Sequence, residues 1–290
     1  MGDVRIGISG WTYPHWRGDF YPAGLRQREE LSYAAQRFSS IEINGSFYSL
    51  QRPTSYASWR EQTPEGFTFA VKGGRYITHL KRLRDVQTPL ANFFASGVLE
   101  LRDRLGPVLW QLPETVAFDP VLLADFFALL PRTVADAAAL ARRHDGRLAG
   151  DRTATEVPPG LGARRIRHTL EARHESFGTC AALELSRAHG VATVVADSAG
   201  RWPLIDAVTS DLVHVRLHGD TELYTSRYSD AALDAWAARV RDWARQADVV
   251  VYFDNDAHGH APHDALRLVQ RLGTTTAGTP NEEDPRGSAR

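Results

Sequence analysis

The stretch LVHVRLHG (212–219) decides the fold. Successive side chains of a strand point to opposite faces, so Val213, Val215 and Leu217 share one face and His214, Arg216 and His218 the other. The apolar face suits a covering layer of helices. The charged face suits the inside of a closed barrel with a polar mouth. The same reading extends outward along the chain. VRIGIS (4–9), SIEIN (40–44), FTFAVK (67–72), PVLWQL (107–112), HTLEAR (168–173), VATVVAD (191–197) and DVVVYFDND (248–256) are short runs rich in β-branched or aromatic residues, as strands are. Helical patterns fill 28–38, 54–62, 89–105, 120–130, 180–190, 230–246 and 263–272. Leu233, Trp236, Val240 and Trp243 form the clearest apolar stripe, and Asp230 is expected to cap that helix.

Eight strands alternating with helices over about 250 residues predict the α/β class and a single TIM-type (β/α)8 barrel. An open doubly wound sheet is the alternative. It loses support because Ile6-Gly7-Ile8-Ser9-Gly10-Trp11 is not a dinucleotide fingerprint. Residues 198–211 show no helical pattern, so the barrel is expected to be irregular between strands six and seven. The barrel domain is read as 1–273. Within it the Arg-, Gly- and Pro-rich 141–165 forms an exposed loop insertion, and 274–290 forms a disordered tail.

The 290 residues are 43% hydrophobic and 24% charged, with a net charge of -1. That balance argues against a dedicated non-specific nucleic-acid binder. The single cysteine, Cys180, excludes an internal disulfide framework and a cysteine-cluster metal site. No basic-then-apolar leader opens the chain, and no apolar run nears the ~20 residues that span a bilayer. A cytoplasmic protein without a membrane partner is expected.

Alternation assigns the remaining inward sets. They are Ser40, Glu42 and Asn44; Thr68, Ala70 and Lys72; Gln111; and Thr169, Glu171 and Arg173. In the last strand Asp254 shares a face with Val250 and Tyr252, and Asn255 takes the other; Asp197 shares a face with Val195. These charges fall late in their strands, at the carboxyl end where barrel enzymes place their chemistry. Glu42, Glu171, Asp197 and Asp254 oppose Lys72, Arg173 and Arg216. An unpaired buried charge costs several kcal/mol. The set is therefore either a self-satisfied ion network closing the barrel or a polar ligand site, and the second is preferred.

At these residues the sequence resembles the DUF72 family, also called YecE-like. The motifs are GISGWTYPHWRGDFYP (7–22), IEINGSFYSLQRPTSYASW (41–59), TPEGFTFAVKGGRYITH (63–79) and GPVLWQLP (106–113). LEARHESF (170–177), TSDLVHVRLHG (209–219) and VYFDNDAHGHAPHDALRL (251–268) complete them. The resemblance implies a TIM-type barrel and names no reaction. Phe177 stands where relatives often carry Trp, and Asp254 where they often carry Asn.

Several chemistries fit these residues. Trp11, Tyr13, His15, Trp16, Phe20 and Tyr21 follow the first strand; most are read as a rim cluster, with Trp11 and Tyr13 as ligand contacts. Glu42 and Glu171 could act as the paired carboxylates of glycoside cleavage, or Arg173 could hold Glu171 as an orienting pair. Glu171, Asp197, His218 and Asp254 are candidate ligands for a divalent metal, although no cofactor is required and pairing with the arginines is favoured. His258, His260 and His263 read as surface or capping residues, and His214 as a core histidine. His218-Gly219 suits a turn that lets a ligand approach closely. Lys72 could form a Schiff base, but its acidic neighbours are expected to keep it protonated.

The reading is an acid–base enzyme, hydrolase or isomerase, acting on a small polar, anionic or sugar-like compound. Glu171, Glu42 and Asp254 are the catalytic candidates. Lys72, Arg173, Arg216, His218, Asn44, Gln111, Trp11, Tyr13 and Asn255 are the substrate contacts. The alternative is a non-catalytic module for a nucleotide, nucleic acid or partner protein, motivated by the aromatic rim and the arginine-rich loop.

Overall fold

A computed structural model describes residues 1–273. The tail expected at 274–290 lies outside the described residues. Eight strands form a closed barrel in sequence order: β1 (Val4–Ser9), β2 (Ser40–Ile43), β3 (Thr68–Lys72), β4 (Leu105–Gln111), β5 (His168–Glu171), β6 (Ala192–Asp197), β7 (Leu212–Leu217) and β8 (Asp248–Phe253). Every neighbouring pair is parallel, including the β1–β8 closure. Val213, Val215 and Leu217 of β7 join Ile41, Ile43, Val249 and Val251 in the core under the helices, as alternation predicts. Inside the barrel, Ala70, Ala192, Leu212, Val250 and Tyr252 form one apolar cluster, and Leu109, Val194 and Ala196 another. The polar residues sit beyond these layers, at the carboxyl ends of the strands.

The outer helices are α1 (Glu30–Ala35), α2 (Gly45–Tyr48), α3 (Pro53–Glu61), α4 (Gln87–Ala95), α5 (Pro120–Leu129), α6 (Val134–Ala141), α7 (Cys180–Ala188), α8 (Asp230–Trp243) and α9 (His260–Leu272). Three expectations are corrected. The helix predicted over 89–105 is broken: α4 ends before Gly97, whose φ of 108° is outside the helical region, and tight 3-10 turns carry Val98–Arg104. The α6 helix occupies a stretch left without an element. Thr133 starts it, accepting from Asp136 N while the Asp136 carboxylate accepts from Thr133 N. Ser229, not Asp230, caps α8, accepting from Ala232 N at 3.2 Å.

No helix joins β6 to β7, as expected. The 141–165 segment is mostly exposed, yet it is tied down. Leu148 is buried, the Asn92 amide and Asp145 exchange hydrogen bonds of 3.0 and 3.1 Å, and Ala154 N donates to the Ala95 carbonyl. Among the described residues no helix is long and apolar enough to cross a membrane.

Candidate functional site at the barrel mouth

Arg216 is the centre of the mouth and is fully buried. Its flanking Val215 and Leu217 belong to the core under the helices, so strand pleating sends its guanidinium into the barrel. There Nε and Nη2 donate to Glu42 at 3.2 and 2.8 Å, Nη1 to Glu171 at 2.6 Å, and Nη2 to Asp254 at 3.0 Å. Ser9 adds a hydroxyl that donates to Glu42 Oε1 at 2.8 Å. Glu171 also accepts from Gln111 Nε2 at 2.8 Å and from Arg173 Nε at 3.0 Å. Beneath, His214 is buried 3.6 Å from Glu42 with its Nδ1 3.0 Å from the Thr169 hydroxyl, a core histidine as predicted.

The charges fix the protonation states. Burial alone would raise the Glu42 carboxyl; the Arg216 guanidinium and His214 outweigh it and hold Glu42 well below the usual carboxylate range. Glu171 is held down in the same way, against its own burial, by Arg216 and Arg173. Asp254 is lowered too, with Arg216 and His218 outweighing burial. Arg216 is correspondingly raised. Glu42 and Glu171 are thus held as carboxylates near neutral pH, a state that suits accepting or positioning a proton better than donating one.

Lys72 sits differently. Its backbone carbonyl accepts from the Ser46 hydroxyl at 2.7 Å, which anchors the end of β3. The residue is only 9% exposed, and its ammonium lies 4.5 Å from the centroid of the Phe47 ring. Among the described residues no carboxylate lies within ion-pair distance of it. Burial pushes Lys72 down to about 8, and the Arg216 guanidinium adds to that effect. Glu42, Asp254 and Glu171 pull the other way and lose. Lys72 therefore releases its proton more readily than an ordinary lysine, yet at about 8 it is still mostly protonated at pH 7, as expected.

Arg173, just past β5, stacks over Trp202 at 3.5 Å and donates to the Tyr224 hydroxyl at 3.2 Å. His218 is buried with Nδ1 3.0 Å from Asp254 Oδ2, and its ring meets Tyr224 edge to face. Asp254 keeps 18% of its side chain exposed, so it is the most open of the three carboxylates. His79, in a π-helical turn (Tyr76–Leu80) after β3, is lowered to about 4 by burial and by the neighbouring Lys72 and Arg173.

Other predicted residues lie elsewhere. Asn255 is buried on the helix side, donating to Asp264 Oδ2 at 2.9 Å and to the Ser226 carbonyl at 3.0 Å, so it holds the β8–α9 loop instead of substrate. Asp197 also faces outward and accepts from the Tyr228 hydroxyl at 3.0 Å. A metal fits poorly here. The Arg216 guanidinium lies between Glu171 and Asp254, Asp197 faces away, and among the described residues no three His, Cys, Asp or Glu side chains form a metal-holding group. Gly219 has φ 140°, and a Cβ there would lie 2.2 Å from the Glu222 carbonyl oxygen, so its close approach serves its own loop.

Trp16, Phe20 and Tyr21 bury themselves in a rim cluster, as expected. Trp11 turns toward Trp59, 5.3 Å between centroids. With Tyr13, Asn44 and Gln51 these two rings line a flanking cavity of about 270 Å³. Tyr13 donates to the Ser9 carbonyl at 2.7 Å and stays beside the charged cluster, as its upward-shifted hydroxyl records, through burial first and then Asp254. Ser9, His79, Trp202 and Tyr224 were missed. Alternation within VRIGIS places Ser9 inward. His79 stands in a single π-helical turn, too short to carry a periodic signal, and Trp202 and Tyr224 stand on irregular loops, Tyr224 with a φ of 63°.

These features define a parallel TIM-type barrel with a charge-balanced cluster at its carboxyl-terminal mouth. The chain belongs to the DUF72 family: the sequence model described as Protein of unknown function DUF72 matches residues 5–288. The YecE protein of Escherichia coli is 32% identical over 112 residues, 39% of this chain and 38% of that protein. YunF of Bacillus subtilis is 30% identical over 82 residues, 27% of each chain. The chain thus matches under half the length of these relatives. A DUF72 family protein of Thermotoga maritima superposes with a TM-score of 0.74 at 24% identity, covering 94% of this chain and all of that one. One from Enterococcus faecalis gives 0.71 at 16%, covering 97% and 100%. Both likenesses concern the fold.

Proposed function

We propose that the mouth is the active site of an enzyme that moves a proton on a small, polar, anionic compound, in the manner of an isomerase. One observation carries this: among the described residues Lys72 is a buried cation with no carboxylate in pairing distance, set beside a cluster whose other charges are paired. A network built for stability alone would leave no such ammonium, because an unpartnered buried charge destabilises the fold. Arg173 receives the anionic group, and Lys72 lies beside the reacting carbonyl where negative charge develops. Asp254, the most accessible carboxylate, takes the proton with His218 beside it. Glu42, Glu171 and Arg216 position these groups from below.

Two-carboxylate hydrolysis draws less support. Glu42 and Glu171 both grip the same guanidinium, which fills the gap where a scissile bond and a water would sit. The binding-module alternative is weakened as well. Arg147 and Arg165 of the insertion pair with Asp145 and Asp211, and Arg142 and Arg164 donate to backbone carbonyls.

The test is solvent exchange. A panel of hydroxy-aldehydes, ketoses, their phosphates and short oxo acids is incubated with the protein in D2O, and carbon-bound deuterium is read by NMR. The expected result is exchange beside the carbonyl of at least one anionic member, reduced roughly 100-fold or more in Asp254→Asn, the scale of a general-base contribution. Absence of exchange across the panel, with calorimetry finding no anion binding, overturns the proposal.

A further inference from the structure

The 34 basic side chains of this chain are all arginine except Lys72 and Lys81. Arginine is thus the residue used wherever a positive charge, an ion pair or an anion clamp is served. At one buried mouth position the chain keeps an amine. A guanidinium holds anions at least as well, but it does not give up its proton in a protein, whereas a desolvated lysine does. The exception at position 72 therefore points to a need for a neutral nitrogen lone pair.

The surroundings agree. Lys72 Nζ faces the Phe47 ring, and among the described residues no carboxylate is close enough to pair with it. The charged groups that bear on it are Arg216, Glu42, Asp254 and Glu171, and His79 lies beside it. Their sum, with burial, leaves part of the population unprotonated at pH 7–8. Lys81 offers the contrast: it is more exposed and lies 3.7 Å from Asp85.

We infer that Lys72 is a covalent nucleophile, forming an imine with the carbonyl carbon of a small oxo compound whose anionic group rests on Arg173. The inference builds on the mouth being the active site and adds the bond by which substrate is held. The amine lone pair attacks the carbonyl carbon, the C–O π electrons move to oxygen, and a proton passes from nitrogen to that oxygen. The carbinolamine takes up one proton and loses water as the C–N double bond forms. Ammonium plus carbonyl compound thus yields iminium plus water, with no oxidant or reductant. The iminium withdraws electrons from the adjacent carbon, whose proton Asp254 can then remove to give an enamine.

Reductive trapping on the wild-type chain tests this without any variant. The protein is incubated with pyruvate, with dihydroxyacetone phosphate or with neutral acetone, each with sodium cyanoborohydride, at pH 6.5 and pH 8. Modified peptides are mapped by mass spectrometry. The expected result is alkylation at Lys72 about 10-fold or more faster than at Lys81, since a lowered pKa raises the free-amine fraction while somewhat reducing intrinsic nucleophilicity. Labelling should rise from pH 6.5 to pH 8, favour the anionic probes over acetone, and lose that preference in Arg173→Gln. Labelling of Lys72 no faster than Lys81 overturns the inference. So does deuterium exchange at the wild-type rate in Lys72→Arg, and that outcome leaves the active-site reading standing. Absence of trapping, exchange and anion binding together overturns both.

Discussion

Replacing Arg216 with methionine isolates what the buried cluster contributes. The side chain is fully buried and donates to Glu42, Glu171 and Asp254, so its loss leaves three carboxylates facing Lys72, Arg173 and the imidazoles of His214 and His218. Removing one partner of a buried ion pair costs about 3–5 kcal/mol, because the remaining charge is stranded in a low dielectric. At about 2–4 °C per kcal/mol for a large domain, the melting temperature should fall by roughly 6–20 °C at pH 7. The pH dependence gives a sharper signature. In the wild type the folded-state pKa values of Glu42 and Glu171 are depressed, so their stabilising contribution is present above the unfolded value of about 4.3 and is lost as pH falls below it. Without Arg216, burial dominates and raises both carboxyls. The folded state then binds more protons than the unfolded state, and stability declines as pH rises above about 4.3. Urea midpoints measured between pH 5 and pH 8 should therefore slope downward in Arg216→Met and stay nearly flat, from these groups, in the wild type. Adding Glu42→Gln and Glu171→Gln to the variant should restore much of the loss. Parallel pH profiles, or a midpoint unchanged at pH 7, would refute the claim that Arg216 neutralises a buried pair.

Two further outcomes are expected. Ser229→Ala should cost about 1 kcal/mol in urea unfolding by removing the cap of α8, whereas Asp230→Asn, which loses only surface pairs with Arg267 and Arg271, should cost well under that; equal losses would return the cap to Asp230. Asp256, which accepts from Trp16 Nε1 at 2.5 Å and faces His15, is pushed by burial up to about 6, so it makes stability fall as pH rises from about 4 to about 6. Asp256→Asn should flatten that part of the profile in a denaturant series, and a variant profile parallel to the wild type would contradict the assignment.

The site was partly legible because strand alternation is strict. Glu42, Lys72, Gln111, Glu171, His214 and Arg216 all point inward, as their parity requires. Parity also set Asn255 opposite Asp254 and Asp197 beside Val195, and the structure sends both outward, so their choice as site residues gave chemical type more weight than face. Trp202 and Tyr224 reach Arg173 from segments without periodicity, where backbone torsions and loop contacts decide direction. The helix over 134–141 was missed because its alanine-rich pattern lacks a strong apolar stripe, and its capping pair is what announces it.

Composition and alternation alone therefore favoured a barrel over an open sheet, and determined which faces its strands present and that acids and bases meet at one end. Those properties follow from local chemistry repeated along the chain. Only the tertiary structure decided the pairing. Glu42 and Arg216 are 174 positions apart, and barrel closure brings them into contact. That contact holds the two glutamates as anions and, among the described residues, leaves Lys72 with no carboxylate in pairing distance, because a buried charge is governed by the distances to its neighbours, which no linear pattern encodes.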